Sequence, residues 1–221
     1  MSPPAPPAAA AELFGGRLPL AVHYASMLAG SGLERGLIGP REVDRLWERH
    51  LLNCAVIGEV VPSGTRVVDL GSGAGLPGLP LALARPELEI VLLEPMARRV
   101  AWLCEVIDEL GLAVRVVRGR AEEPSVRAEL GGADVVTARA VAPLARLAEW
   151  ALPLLADGGL LVAMKGETAA DEVARDGAAV RRHGGHAVRV HDCGAGIVDP
   201  LTRVVLVERH EPRAVRNRRR S

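Results

Sequence analysis

Between residues 67 and 78 the chain reads Val-Val-Asp-Leu-Gly-Ser-Gly-Ala-Gly-Leu-Pro-Gly. A β-branched run stops at the acid Asp69, then Gly71, Gly73 and Gly75 follow at every second position, and Gly78 closes the loop. A second run, residues 90–94, ends on Glu94. A bare-backbone loop after one buried strand, beside a carboxylate at the tip of the next, suits an adenosine-containing cofactor. Glycines let backbone approach a ligand and take positive φ. A carboxylate can accept the protons of both ribose hydroxyls.

The loop can be read in two frames. Residues 73–78 match G-x-G-x-x-G, the dinucleotide fingerprint, which is a weak signal alone. The pattern Asp69-x-Gly71-x-Gly73-x-Gly75 resembles motif I of the Rossmann-like S-adenosylmethionine methyltransferases and uses Asp69 and Gly71, which the first frame leaves idle. That cofactor has no pyrophosphate. Its site needs bare backbone beside the methionine moiety and an acid that tolerates the nearby ammonium and sulfonium, and Asp69 meets that need. A loop that merely turns a strand into a helix also uses glycine.

Three further stretches carry candidate chemistry. After the third strand-like run comes Gly119-Arg120-Ala121-Glu122, where Ala121 can pack on an adenine ring and an acceptor near Glu122 can take the exocyclic amine proton. Glu122 and Glu123 also suit a helix N-terminus. Arg139 follows the fourth run, at the carboxyl edge of the expected sheet, where it can meet a cofactor carboxylate or a substrate phosphate. Lys165 is the only lysine among 27 Lys and Arg residues, which marks it as a compact ammonium in an arginine background.

The elements that must position these groups alternate regularly. Strand-like runs fall at 66–70, 90–94, 114–118, 134–138, 160–165, 187–191 and 204–208. Helix-like runs fall at 77–85, 95–110, 120–130, 143–155 and 167–183. Alternating β and α predicts a parallel sheet covered on both faces. The connection between the last two strands is too short for a parallel crossover, so that pair is expected to be antiparallel. The expected fold is α/β, with a mostly parallel seven-stranded sheet and an antiparallel C-terminal strand. Helical spacing over 12–30 and 41–60 predicts an N-terminal helical cap. The expected division is a disordered lead-in (1–11), the cap (12–61), the catalytic domain (62–209) and a basic flexible tail (210–221).

Composition bounds the rest. Hydrophobic content of 49% over 221 residues supports one sizeable core. No apolar run is long enough for a membrane span without interruption, and the Pro/Ala-rich start lacks the basic region of a signal peptide. Cys54, Cys104 and Cys193 are far apart with no C-x-x-C, which argues for a reducing, cytoplasmic setting without a disulfide framework or structural zinc. Formal net charge is zero, yet six arginines lie between Arg209 and the end, against the single acid Glu211. Such a tail suits a polyanion such as nucleic acid, or serves solubility. Arg41, Arg45 and Arg49 would share a helical face, with acids interleaved. Five aromatics are present, and Trp47, Trp102 and Trp150 fall at apolar helical positions, expected in the core.

Together these residues resemble the RsmG/GidB family of ribosomal RNA small-subunit methyltransferases over residues 40–209. The resemblance rests on Arg49-His50, residues 69–78 with their Gly-Leu-Pro-Gly ending, Glu94, Arg120-Ala-Glu122, Arg139-Ala140 and Lys165-Gly166. It implies N7-methylation of a guanine in the decoding region of 16S rRNA, with S-adenosylmethionine as cofactor and the small ribosomal subunit or its RNA as partner. A monomer without metal is expected. The implied cofactor residues are Gly71, Leu76, Ala121, Glu122 and Arg139, with Glu94 on the ribose; Asp69, Gly73 and Gly75 come from motif I. Two departures lie in the cap. Gly36-Leu37-Ile38 stands where many members have Asn-Leu-Thr, and Asn53-Cys54 where Asp-Ser is common. They are expected to bear on RNA docking more than on the cofactor.

Guanine N7 has an in-plane lone pair and no proton, so direct attack needs alignment and no general base. Arg139 and Lys165 are then candidate positioning groups, toward guanine O6 or phosphates. Competing readings are a nicotinamide oxidoreductase, for which too little chain remains, a small-molecule methyltransferase, and a non-enzymatic cofactor sensor or RNA-binding module.

Overall fold

The computed structural model describes residues 3–210; the basic tail, expected at 210–221, lies outside them from residue 211 onward. Among the described residues seven strands form one sheet: β1 (Arg66–Leu70), β2 (Glu89–Glu94), β3 (Arg115–Arg118), β4 (Ala133–Arg139), β5 (Leu155–Met164), β6 (Gly185–Cys193) and β7 (Thr202–Arg209). Their order is β3-β2-β1-β4-β5-β7-β6. The first five are parallel, and β7 runs antiparallel between β5 and β6. The short link between β6 and β7 closes them as a hairpin, as the spacing requires.

The central strands β1, β2, β4 and β5 are mostly apolar because both of their faces are covered, whereas the edge strand β6 is largely exposed and polar. Alternate side chains enter two separate cores. Val67, Ile90, Leu92, Val135, Val162, Val204 and Leu206 point to one, whereas Val68, Val91, Leu93, Val136, Leu161, Ala163 and Val205 point to the other. A one-residue register slip would exchange the two sets.

The second core is closed by α6 (Pro124–Leu130), α7 (Leu144–Ala151) and α8 (Ala169–Arg182). The first is closed by α4 (Gly78–Ala84), α5 (Ala97–Leu110) and the N-terminal segment. That segment comprises α1 (Ala8–Phe14), α2 (Leu18–Met27) and a run of helical turns from Pro40 to Val60, within which Asn53–Ala55 forms α3. Tyr24, Leu28, Leu46, Leu51 and Ile57 are fully buried in the same core as the sheet residues. The N-terminal helices are thus one layer of the fold, continuous with the sheet's own hydrophobic core.

Of the lead-in expected to be disordered over 1–11, residues 1–2 lie outside the described residues, and the part from Ala8 on is helical instead. Helix α1 begins at Ala8, Ala10 is buried, and Pro4 accepts a hydrogen bond from Trp47 Nε1 at 2.9 Å. An alanine run after Pro7 is a strong helix former, and docking against Trp47 supplies the tertiary contact that composition alone does not show. Among the described residues no helix is long and apolar enough to cross a membrane.

Candidate functional site

The loop between β1 and α4 is pinned from several sides. Gly71 and Ser72 donate their N–H groups to the Leu93 carbonyl at 2.8 and 3.2 Å, tying the loop to the end of β2. Gly71 has φ of +73°, and a Cβ there would stand 3.0 Å from Val141 Cγ2, so only glycine suits this turn. Behind it, Asp69 is fully buried. Its Oδ2 accepts from Gly78 N at 3.1 Å and its Oδ1 from Thr137 Oγ1 at 3.0 Å. A side chain at Gly78 would run into Leu92 and come within 2.8 Å of Asp69 Oδ2. Burial pushes the Asp69 carboxyl up to about 6, against the hydrogen bonds from Ser72, Gly78 and Thr137. The Ala74 carbonyl accepts from both Tyr24 Oη at 3.0 Å and Trp102 Nε1 at 2.9 Å.

In front of the loop lies a cleft of about 670 Å³. Glu94 lines it from the tip of β2, almost wholly buried, with Oε2 accepting from Gly73 N at 3.0 Å and Oε1 from Met96 N at 2.9 Å. Arg99 Nη1 stands 3.8 Å from Oε2. Each carboxylate oxygen keeps a second lone pair for a further donor. Gly119, Arg120, Ala121 and Glu122 form the next stretch of wall. Trp150 adds to the lining with its ring half-buried, and the Arg146 guanidinium lies 5.3 Å from the ring centroid.

The far end of the cleft is built by side chains from distant segments. Arg139, at the tip of β4, donates from Nη1 to Cys54 Sγ at 3.1 Å and from Nη2 to the Arg49 carbonyl at 3.2 Å. Its Nη2 also meets His50 Nδ1 at 2.6 Å, and His50 Nε2 meets Glu42 Oε2 at 2.7 Å. Glu42, His50 and Arg139 all line the cleft, with Leu37, Ile38 and Gly39 beside them. Burial, then the Arg139 charge, holds His50 below its ordinary value, against the opposing pull of Glu42.

Of the residues expected at the site, Gly71, Gly73, Leu76, Glu94, Ala121, Glu122 and Arg139 are brought to this one cleft. Asp69 and Gly75 are not on its wall. Asp69 braces the loop from behind, and Gly75 packs beneath Leu79 and the Tyr24 hydroxyl. Lys165 also stands outside the lining. Its Nζ donates to the Ala142 carbonyl at 2.9 Å and pairs with Glu172 Oε2 at 2.7 Å. The same Glu172 oxygen accepts from Leu144 N at 3.2 Å, so this lysine ties the 140–143 loop to α8 and stands off the cleft wall. Two of the three ammonium donors are thus engaged, by a carbonyl and a partly buried carboxylate.

Three features escaped the sequence reading. Trp150 was expected in the core with Trp47 and Trp102, yet it borders the cleft while those two are buried. Tyr24 and Trp102 converge on one carbonyl from different helices, and no local signal marks that. The departures at 36–38 and 53–54, expected to concern RNA docking, lie at the cleft itself: Ile38 lines it and Cys54 touches Arg139.

The donor set fits an adenosyl sulfonium ligand. A buried carboxylate with lone pairs to spare, a close backbone turn, and a wall of Ala121 and Trp150 match a ribose, a sulfonium-bearing methionine arm and a base, within a usual ligand volume. Comparison with known proteins agrees. Residues 17–207 match the family model described as GidB, rRNA small subunit methyltransferase G. The ribosomal RNA small subunit methyltransferase G of Mycobacterium marinum is 58% identical over 210 residues, covering 95% of this chain and 92% of the relative. That of Salinispora arenicola is also 58% identical, over 216 residues, covering 94% and 88%. Among solved structures, a SAM-dependent O-methyltransferase from Thermotoga maritima shares the fold with a TM-score of 0.57 at 14% identity, covering 86% of this chain and 72% of that one. Aeropyrum pernix fibrillarin, in complex with natively bound S-adenosyl-L-methionine, does so with a TM-score of 0.52 at 20% identity, covering 72% and 74%. The chain therefore belongs to the ribosomal RNA small subunit methyltransferase G family and is an S-adenosylmethionine-dependent rRNA methyltransferase.

Proposed function

We propose that this chain methylates N7 of a guanine in the decoding region of 16S rRNA, acting as a cytoplasmic monomer and without a general base. The observation that carries this reading is the two-ended cleft. Glu94 and the glycine loop form one end, and a single guanidinium held by three partners forms the other. When bound, S-adenosylmethionine supplies an electrophilic methyl group. Guanine N7 offers a lone pair and carries no proton, so no residue has to accept one. The work of the chain is alignment.

Each residue then has a holding task. Glu94 accepts from the ribose hydroxyls, and Ala121 with Glu122 receives the adenine. Arg139 meets guanine O6 or a flanking phosphate with the N–H groups not engaged by Cys54, His50 and the Arg49 carbonyl. A donor to O6 opposes the positive charge developing on the base, which favours a positioning task over an electrostatic one. Arg41, Arg45 and Arg49 are exposed beside this end and suit the RNA backbone. Asp69 and Lys165 act at one remove, through the loops they hold.

The test is transfer of labelled methyl groups to intact small subunits, naked 16S rRNA and unrelated RNA, with the product identified as 7-methylguanine by chain cleavage at the modified base. Label at another atom or only in unrelated RNA rejects the reading. With charge and shape rather than aromatic stacking carrying the RNA, the rate falls steeply with salt. Sedimentation of the active protein tests the monomer.

A further inference from the structure

His50 is buried between an acid and a guanidinium, and the chemistry of its neighbours dictates its state. A guanidinium only donates hydrogen bonds. The 2.6 Å contact from Arg139 Nη2 therefore requires a lone pair on His50 Nδ1. The remaining ring proton then sits on Nε2 and is donated to Glu42 Oε2, 2.7 Å away. This chain of bonds, Glu42 to His50 to Arg139, exists only while the imidazole is neutral. Protonation would place an N–H on Nδ1 directly against the Arg139 N–H and remove the acceptor.

We propose that neutral His50 is a positioning residue that fixes the Arg139 guanidinium at the acceptor end of the cleft, so that methyl transfer is lost when this imidazole gains a proton. The inference rests on the reading of Arg139 given above. His50 itself touches no reacting atom; it acts through Arg139. The charged and titratable groups around the relay are Glu42, on the Pro40–Arg45 turns, Arg45 beside Glu42, Arg49 on the same turn as His50, Cys54 on α3 and Arg139 on β4. Burial first, then Arg139 and Arg49, disfavour the charged ring, whereas Glu42 favours it. The acid limb of the rate therefore lies below the ordinary imidazole range.

The pH profile of kcat for RNA methylation, taken at saturating cofactor, tests this. Saturation matters because Asp69, pushed up to about 6, also titrates as the pH is lowered and would act through cofactor affinity. The wild-type rate should fall as pH drops through the His50 titration. Glu42→Gln removes the charge that supports the imidazolium, so its acid limb should move to lower pH. His50→Phe keeps the ring shape without an acceptor. It should lose the limb and lower kcat about tenfold or more at every pH, as expected for a lost bond to a charged group, with unchanged affinity for S-adenosylhomocysteine by calorimetry. Nitrogen NMR of the folded wild-type protein should show the Nε2–H tautomer. An unshifted or upward-shifted limb in Glu42→Gln, the same limb in His50→Phe as in wild type, or an Nδ1–H tautomer overturns the proposal. Arg139→Ala separates the two levels. If it leaves methylation intact, the underlying reading of Arg139 fails; if it abolishes methylation while His50→Phe keeps the wild-type profile, only the His50 relay fails.

Discussion

At the glycine-loop end of the cleft, Glu94 is held by the main-chain N–H groups of Gly73 and Met96. At the other end, Arg139 is held by Cys54, His50 and the Arg49 carbonyl, which precede it by 85, 89 and 90 residues. One end is made of backbone, within the turns that follow β1 and β2. The other is made of side chains donated by a helical layer that docks across the sheet. Backbone contacts survive most substitutions of their neighbours, so the cofactor end is robust. A side-chain relay depends on every member and on the docking of the layer that carries it, so the acceptor end is where single changes can remove RNA methylation and leave the cofactor bound.

Glu94→Ala gives the largest expected effect. It removes the proposed ribose acceptor and leaves the N–H groups of Gly73 and Met96 without that partner, so affinity for S-adenosylhomocysteine should fall about 100-fold or more, at roughly 1.5–3 kcal/mol per bond to a charged group. Calorimetry measures it. Arg139→Ala should lower methyl transfer by about 100-fold through loss of charge-assisted bonds, with cofactor affinity held within about threefold by the same scale. Comparable losses of cofactor affinity in both variants would mean that the cleft does not divide into two ends.

Stability against pH sharpens the comparison further. The folded value of Asp69, about 6, lies above the ordinary value of 3.8 for an aspartate. The folded state thus binds the proton more tightly than the unfolded chain, and its contribution to stability falls as pH rises from about 4 to about 6. The shift corresponds to a change on the order of 2–3 kcal/mol. Asp69→Asn keeps the shape and should flatten that slope in chemical denaturation; an unchanged slope would place the titration elsewhere. Lys165→Met should slow RNA methylation by about tenfold, the scale of one charged hydrogen bond, because the loop that it anchors carries Ala140 and Val141 into the cleft. Unchanged kinetics would show that the loop holds itself. Tyr24→Phe is the mildest. Trp102 still donates to the Ala74 carbonyl, so a stability loss of about 1 kcal/mol with normal catalysis is expected from thermal melting and kinetic assays.

Strand β1 was legible to the residue, because a β-branched run ended by an acid and a glycine has few alternatives. Helix α5 was nearly so, with its left-handed stop at Gly111. Strand β5 was not. It begins at Leu155, five positions before the expected start, and includes Gly158-Gly159, which read as a helix end. A shift in register against β4 lets those glycines pass within the strand. Strand β6 was underestimated for the same reason, with a register shift between His186 and Arg189.

The local pattern was enough to establish an alternating α/β chain, the glycine loop and the carboxylate that follows it, since these depend on period, backbone freedom and neighbours a few residues away. It marked Asp69 and Arg139 for the cofactor and Arg139 and Lys165 for the acceptor base, without distinguishing which of them would stand on the cleft wall. That distinction arises on folding, when Thr137 and Gly78 claim Asp69, Ala142 and Glu172 claim Lys165, and the relay from Glu42 turns Arg139 into the cleft. The partner of a buried charge is chosen by packing across the sheet, and packing is not written in the spacing of the residues it joins.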